Sequence, residues 1–291
     1  MRVFLVDGTY ELFRHFHGAP PHLTKDGREV NAVRGVVSTV LQLLADGATH
    51  VGVATDHVIE SFRNQLYKPY KDGSGVPPEL YSQFPLLEDA MRAIGVTVWP
   101  TVELEADDAL ASAAATATAD ERVDQVVIMT PDKDLAQCVK DARVVQYDRR
   151  NQAILDYDAV VAKWGVEPES IPDLLALVGD SADGYPGLSG WGRKSAATLL
   201  AHYGSIEKIP DHPGQWDVSV RGSVALAGTL ASHRDDAMLF KLLATLRIDP
   251  KLLANVDDLQ WHGPADNCDE FLDTIDGQRQ ALKAHSLAEQ L

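Results

Sequence analysis

Gly179-Asp180-Ser181-Ala182-Asp183-Gly184-Tyr185-Pro186-Gly187-Leu188-Ser189-Gly190-Trp191-Gly192-Arg193-Lys194 sets two carboxylates, five glycines and two cations into one short segment. Such a composition does not build a core. The apolar run from Leu174 to Val178 reads as a helix that stops at Gly179, so Asp180 and Asp183 project beyond a helix end. Gly187, Gly190 and Gly192 then keep the backbone bare up to Arg193 and Lys194, where a second helical pattern begins. A backbone stripped of side chains just before a helix start suits a phosphate, whose charge the helix N-terminus attracts. Read alone, the stretch is equally an ordinary polar loop. The surrounding chain decides between the two.

The chain has 291 residues, 45% hydrophobic and 24% charged, which is enough for one large core or two modest ones. No apolar run is long enough to cross a membrane, no signal-peptide pattern opens the chain, and two distant cysteines, Cys138 and Cys268, fit a reducing compartment. We expect a cytoplasmic protein in which both cysteines are packing residues. A net charge of −17 argues against nonspecific binding of nucleic acid over the whole surface. Charge acts by location, however, and acids that bind divalent cations invert their own local field. Asp257 to Asp276, with seven acids and no Lys or Arg, reads as a solvated face.

Outward from the loop, toward the N-terminus, apolar strands alternate with helices. Arg2–Val6, Val51–Thr55, Val96–Trp99, Gln125–Thr130 and Arg143–Tyr147 read as strands. Between them Asn31–Leu44, Glu79–Ile94 and an Ala-rich stretch from Glu105 to about Ala119 read as helices, and a short helix follows Asp134. This alternation predicts an α/β fold with a mostly parallel central sheet flanked by helices, whose ligands bind beyond the carboxyl ends of the strands. From about Asp158 onward the chain reads as helical, through Ile171–Val178, Arg193–His202, Arg221–Leu230 and Asp235–Leu246, with a loose connection at Pro210–Trp216.

Asp7, Asp56, Glu105, Asp107, Asp108, Asp132, Asp134, Asp180 and Asp183 come from five places in the chain, all predicted to lie at that one edge. Each alone has a plain explanation as a turn or helix-capping residue. Gathered together they would repel, and several would hold protons unless cations intervened. Oxygen-only ligands at this density select hard cations, Mg²⁺ or Mn²⁺. Two such ions about 4 Å apart are the usual device for in-line attack on a phosphodiester. The ten histidines form no competing metal set, and no Ser-His-Asp or Gly-x-Ser-x-Gly arrangement is present. Asp7-Gly8-Thr9 has a superficial rival in the Asp-x-Asp-Gly-Thr start of haloacid-dehalogenase-type phosphatases, but Leu5 stands where the first aspartate is needed. Between the second strand and the next helix, Arg63, Lys68 and Lys71 interleave with Phe62, Tyr67 and Tyr70, a mixture that grips single strands by phosphate contact and base stacking. An amphipathic surface loop has the same composition.

Taken in order, these pieces resemble the bacterial 5′ nuclease family: the 5′-to-3′ exonuclease domain of family A DNA polymerases, phage 5′ exonucleases and, more distantly, flap endonucleases. The matching motifs are Val6-Asp7-Gly8-Thr9, Phe62 to Lys71, Glu105-Ala106-Asp107-Asp108, Asp132 to Gln137 and Gly179 to Gly192, covering roughly Met1 to Ile209. The resemblance implies a resolvase-like or PIN-like core over 1–170 with an arch at about 57–80. It also implies a helical region over 171–291 whose helix-hairpin-helix-like element, at about 179–203, holds duplex DNA. Asp7, Asp56 and Asp107 would surround one metal and Asp132, Asp134 and Asp183 another, with Glu105, Asp108 and Asp180 bridging or ligating through water. Lys71 would approach the scissile phosphate, Tyr70 would stack beside it, and Gly187, Gly190, Gly192, Arg193 and Lys194 would meet the duplex, with a K⁺ ion held by hairpin carbonyls.

The implied activity is metal-dependent, structure-specific hydrolysis of DNA at 5′ flaps, gaps or ends in replication and repair. The enzyme would act as a stand-alone monomer beside a polymerase and a ligase. A non-catalytic binder of branched nucleic acid and an RNA-directed nuclease are the alternatives. Three positions depart from the family pattern: Ser74 stands where an arch arginine is usual, Gly184 where Asn is common, and Arg193 where Glu is common.

Overall fold

The computed structural model describes Met1–Leu291. In chain order the elements are β1 (Arg2–Asp7), α1 (Gly8–Gly18), α2 (Asn31–Ala45), β2 (His50–Asp56), α3 (Phe62–Leu66), α4 (Pro78–Tyr81), α5 (Gln83–Ala93), β3 (Thr97–Thr101), α6 (Ala106–Ala119) and β4 (Gln125–Met129). There follow β5 (Val144–Asp148), β6 (Ala153–Leu155), α7 (Tyr157–Trp164), α8 (Ile171–Val178), α9 (Arg193–Tyr203), α10 (Ser223–Ser232), α11 (Arg234–Ala244), α12 (Cys268–Asp273) and α13 (Gln278–Ala288). The chain forms two compact units, neither of them continuous in sequence. The first comprises Met1–Ser61, Gly73–Thr130 and Arg247–Leu291; the second comprises Phe62–Asp72 and Pro131–Leu246.

In the first unit β1 pairs in parallel with β2 and β4, and β2 with β3, giving the order β3-β2-β1-β4. Val3 lies opposite His50 and Val126, and Val53 opposite Val6 and Val98. Every residue of β2 is buried, as a parallel strand covered on both faces requires. Gly52 leaves room for the Trp99 ring, which a Cβ there would strike. α6 packs on β1, β2, β3 and β4, while α1, α2 and α5 pack on one another. The expected helix over Glu79–Ile94 is two helices, α4 and α5, broken at Ser82. Pro85 supplies the reason, because it lacks the N–H that would bond the Tyr81 carbonyl. The last segment returns to this unit: Trp261 donates from its backbone to the Thr49 carbonyl at 2.8 Å and from Nε1 to the Ile94 carbonyl at 2.7 Å.

In the second unit β5 and β6 form an antiparallel pair, with Gln146 opposite Leu155. The three residues of β6 carry too short a pattern to announce a strand, and the Asp148 carboxylate makes the turn by accepting from the backbones of Arg150 and Asn151. Asp156 caps α7, and Gly165, at φ 78°, ends it. α8 is buried on nearly every side and packs on α9 and α11. Tyr185 stacks on Phe240 with ring centroids 5.5 Å apart. The expected helix after Asp132 is a single 3₁₀ turn, Asp134–Cys138.

Candidate functional site

In the first unit the acids sit where the parallel strands end. β1 is flanked by β2 on one side and β4 on the other, so the strand order reverses there and a crevice opens at the carboxyl edge. Asp7 ends β1 at that point. Its Oδ1 accepts from the Tyr10 backbone at 2.8 Å and so caps α1, and its Oδ2 accepts from Thr130 Oγ1 at 2.9 Å. Asp56 ends β2, and its Oδ1 accepts from the Ala106 backbone at 2.8 Å. The head of α6 is a capping box in which Glu105 and Asp108 bond each other's backbone N–H, and Glu105 Oε1 also accepts from Ser61 Oγ at 2.7 Å.

Asp108 is fully buried: one oxygen accepts from the Glu105 backbone at 2.9 Å and the other from the Arg247 backbone at 2.8 Å. These two bonds fix the start of α6 and tie it to Arg247. Asp107, beside it, is half-buried.

In the second unit Asp134, Asp180 and Asp183 are all buried, and each offers a carboxylate oxygen within 4.8 Å of the other two. Asp132 Oδ1 accepts from the Asp134 backbone at 2.9 Å, which shapes the turn that carries Asp134. Desolvation, with Asp132 and Asp183 close by, pushes the Asp134 carboxyl well above the usual range. Its Oδ1 is buried with no hydrogen-bond partner.

Two lysines answer this charge. Lys133 Nζ lies 2.5 Å from Asp180 Oδ2, and Lys71 Nζ lies 3.5 Å from Asp183 Oδ1. Burial works against the Lys133 ammonium, but Asp134, Asp132 and Asp180 outweigh it and hold its pKa above the ordinary lysine value. Burial first, then the three carboxylates Asp134, Asp180 and Asp183, raise the Tyr185 phenol, whose hydroxyl has no partner. Lys133 and Tyr185 were legible only as members of motifs. Their signal was position: Lys133 lies between two acids, and Tyr185 lies two residues beyond a third.

The loop Gly179–Gly192 is held by backbone contacts. Asp180 and Tyr185 exchange backbone hydrogen bonds of 2.8 and 3.0 Å, and Asp180 Oδ1 accepts from the Ala182 backbone. Gly187 differs from its expected part. At φ 67° it packs against the backbone of Gly179 and Val178, so it has no side chain because the loop folds tightly on itself. Gly190 and Gly192 are exposed, with open space where a Cβ would stand. Gly192 precedes α9 without a capping side chain, so no side chain satisfies the first N–H groups of the helix, beside which Lys194 is exposed. Arg193 lies over the Trp164 ring at 4.5 Å and donates to the Lys163 carbonyl, which ties α9 to α7.

Two residues of the Phe62–Lys71 segment also depart from expectation. Arg63 is 1% exposed, donating from Nε to the Leu243 carbonyl at 2.7 Å and from Nη2 to the Thr245 carbonyl at 3.2 Å. Tyr70 is 3% exposed and belongs to the core of the second unit. Neither presents itself to a nucleic acid; both anchor the segment. Lys68 is exposed, and Lys71 lies beside the acids.

Family comparison accounts for this arrangement. Residues 2–165 match the model for the 5′-3′ exonuclease N-terminal resolvase-like domain, and residues 166–267 match that for the 5′-3′ exonuclease C-terminal SAM fold. The chain belongs to the 5′-3′ exonuclease family. Its relatives include DNA polymerase I of Rhizobium leguminosarum, 37% identical over 88% of this chain and 26% of that protein. DNA polymerase I of Pseudomonas aeruginosa is 36% identical over 88% of this chain and 28% of the relative. The chain thus spans about a quarter of the length of these polymerases.

Among solved structures, the T5 D15 protein co-crystallised with metal ions superposes with a TM-score of 0.69 at 16% identity, covering 99% of each chain. The catalytic core of Rad2 in complex with DNA substrate superposes with a TM-score of 0.64 at 16% identity, covering 98% of this chain and 92% of the other. At that identity the likeness bears on the fold, which is the 5′ nuclease fold throughout. The resolvase-like domain and the SAM fold of the 5′-3′ exonuclease family correspond to the mostly parallel sheet and the helical region.

Proposed function

We propose that this chain is a metal-dependent, structure-specific 5′ nuclease that hydrolyses DNA at 5′ flaps, gaps or ends. The observation that carries the reading is the mutual approach of Asp134, Asp180 and Asp183 beside Lys71 and Lys133. The donor set fits a hard divalent cation, because every ligand atom is a carboxylate oxygen and the buried Asp134 Oδ1 lacks a partner. Asp132, Asp134, Asp180 and Asp183 would hold one ion, and Asp7, Asp56, Glu105 and Asp107 supply the acids for another. Mg²⁺ or Mn²⁺ bound there would supply an activated water and a stabilised leaving oxygen.

The protein's own contribution is to bind and orient. Lys71, on the segment anchored by Arg63 and Tyr70, offers its ammonium to a phosphate oxygen beside the acids. Lys133 balances Asp180 and keeps the cluster from being purely repulsive before a cation arrives. Exposed Gly190, Gly192 and Lys194, with the uncapped start of α9, receive the duplex backbone away from the cut, and loop carbonyls there could coordinate K⁺. The metal ligands serve chemistry, while the hairpin serves grip.

The test is a 5′-labelled flap duplex incubated with Mg²⁺ or Mn²⁺, with a matched RNA flap alongside. Cleavage of the DNA flap is expected, and an intact flap in both metals ends the catalytic reading. Asp183→Ala is expected to slow cleavage by at least about a thousandfold while duplex affinity changes little. Equal loss of both would show that the acid cluster is a structural support. Preferential cutting of the RNA flap would reassign the substrate.

A further inference from the structure

Three chemically different ligands meet in the first unit, in a cluster that shares no residue with the acids above. Cys268 opens α12, Asp269 follows it, and His285 lies on the last turn of α13, which packs against α12. The sulfur of Cys268, a carboxylate oxygen of Asp269 and a ring nitrogen of His285 all lie within 4.8 Å of one another. Cys268 is 1% exposed and forms no disulfide. His285 Nε2 stands 3.0 Å from Asp269 Oδ1, and both of these side chains are exposed, at 47% and 74%. The cluster therefore has a sulfur floor and a solvent-facing rim of nitrogen and oxygen, which gives an ion a path in from water.

A simpler account treats His285 and Asp269 as a surface ion pair and Cys268 as a core residue. An exposed ion pair, however, has no need of a thiol beneath it, and a packing residue has no need to aim its polar atom at two metal-ligating groups. We propose that Cys268, Asp269 and His285 form a binding site for a zinc-type divalent cation, with water completing a four-coordinate shell. One sulfur, one imidazole nitrogen and one carboxylate oxygen match the borderline-soft preference of Zn²⁺ and Co²⁺. The hard Mg²⁺ and Mn²⁺ ions prefer oxygen-only sets such as the acids of the nuclease site.

Binding breaks the Cys268 S–H bond and forms a sulfur–metal bond, the proton passing to solvent. The Nε2 proton that now bonds Asp269 also leaves, to solvent from the imidazolium or by tautomerisation to Nδ1 in the neutral ring, so that Nε2 gives its lone pair to the ion, Nδ1 carries the remaining proton and the hydrogen bond to Asp269 is exchanged for shared coordination. No electron transfer is involved. The ion would tie α12 to α13, which rest on α5 and α2, and so fasten the returning C-terminal segment to the helical layer of the first unit.

Co²⁺ titrated into the metal-free full-length protein tests this, because only a thiolate ligand gives an intense near-ultraviolet sulfur-to-cobalt band. One equivalent is expected to produce that band and Zn²⁺ to abolish it. Co²⁺ taken up by the carboxylates of the nuclease site contributes no such absorption. Cys268→Ser should lose the band. Cys138 is retained in that variant, so a band surviving there belongs to Cys138 and overturns the proposal. His285→Ala keeps the thiol and changes only an exposed side chain; it should weaken cobalt binding by more than about tenfold. Absence of the band in the unaltered protein, or an unchanged affinity in His285→Ala, also overturns the assignment.

Discussion

At the scale of single residues, the same side-chain chemistry serves opposite purposes according to burial. Arg63 and Lys68 stand five positions apart in one basic, aromatic segment, yet one guanidinium is buried against the carbonyls of Leu243 and Thr245 while the other cation faces water. Arg63→Ala strands those buried acceptors, and a loss of about 3 kcal/mol is expected in chemical denaturation. Lys68→Ala should leave stability within about 0.5 kcal/mol and weaken only nucleic-acid binding.

Asp173 offers a second case. It is buried, accepts from the Ile206 backbone at 2.8 Å and pairs with Lys241 at 2.9 Å. Burial raises its pKa, and the bonds to Ile206 and Lys241 oppose the rise. A carboxyl whose pKa is raised on folding costs stability once it ionises, so the cost grows as pH climbs above the unfolded value. Lys241→Met removes the compensating charge. The variant should lose about 3 kcal/mol near neutral pH and distinctly less in the ordinary carboxylate range, where the raised pKa leaves more of Asp173 protonated. Equal losses at both pH values would show that Lys241 acts through packing. Lys241 itself is raised, burial being outweighed by Glu207 and Asp173, so its contribution is full at neutral pH and fades only above the ordinary lysine range.

At the scale of elements, the loop between α8 and α9 separates two uses of glycine. Gly187 has a left-handed φ of 67° and no room for a Cβ. Gly187→Ala is therefore expected to destabilise by more than about 2 kcal/mol and lower the thermal midpoint. Gly192 has φ −112° and open space around it, so Gly192→Ala should fold normally. If a phosphate approaches that backbone, the added methyl should weaken duplex binding by about tenfold with little change in unimolecular cleavage of bound substrate. Unchanged duplex affinity would remove the start of α9 from the contact surface. Periodicity located α8 and α9 nearly to the residue, because their apolar faces are long and bounded by glycine. The three residues of β6 and the break at Ser82 were not visible in the same way: one pattern is too short, and the other depends on a single missing N–H at Pro85.

At the scale of the molecule, neither compact unit follows a single cut of the chain near residue 170. Arg247–Leu291 belongs to the first unit. Its Trp261 bonds to Thr49 and Ile94, and the Arg247 backbone satisfies the buried Asp108. Deleting Arg247–Leu291 should expose that core and strip the Arg247 hydrogen bond from the buried Asp108 carboxylate. The truncated chain is expected to lose its cooperative thermal transition or to accumulate as insoluble material. Retention of a full-height transition would show that the segment only decorates the surface.

The sequence by itself determined the α/β class, the positions of the principal strands and helices, and the acids at strand ends, because these follow from local periodicity and residue chemistry. Tertiary structure decided which charged residues are supports. Arg63 and Tyr70 carry side chains that suit a site, and what assigns them to the scaffold is burial, in Arg63 against the carbonyls of Leu243 and Thr245 far along the chain. Desolvation and hydrogen-bond satisfaction depend on those distant neighbours, and no local window of sequence contains them.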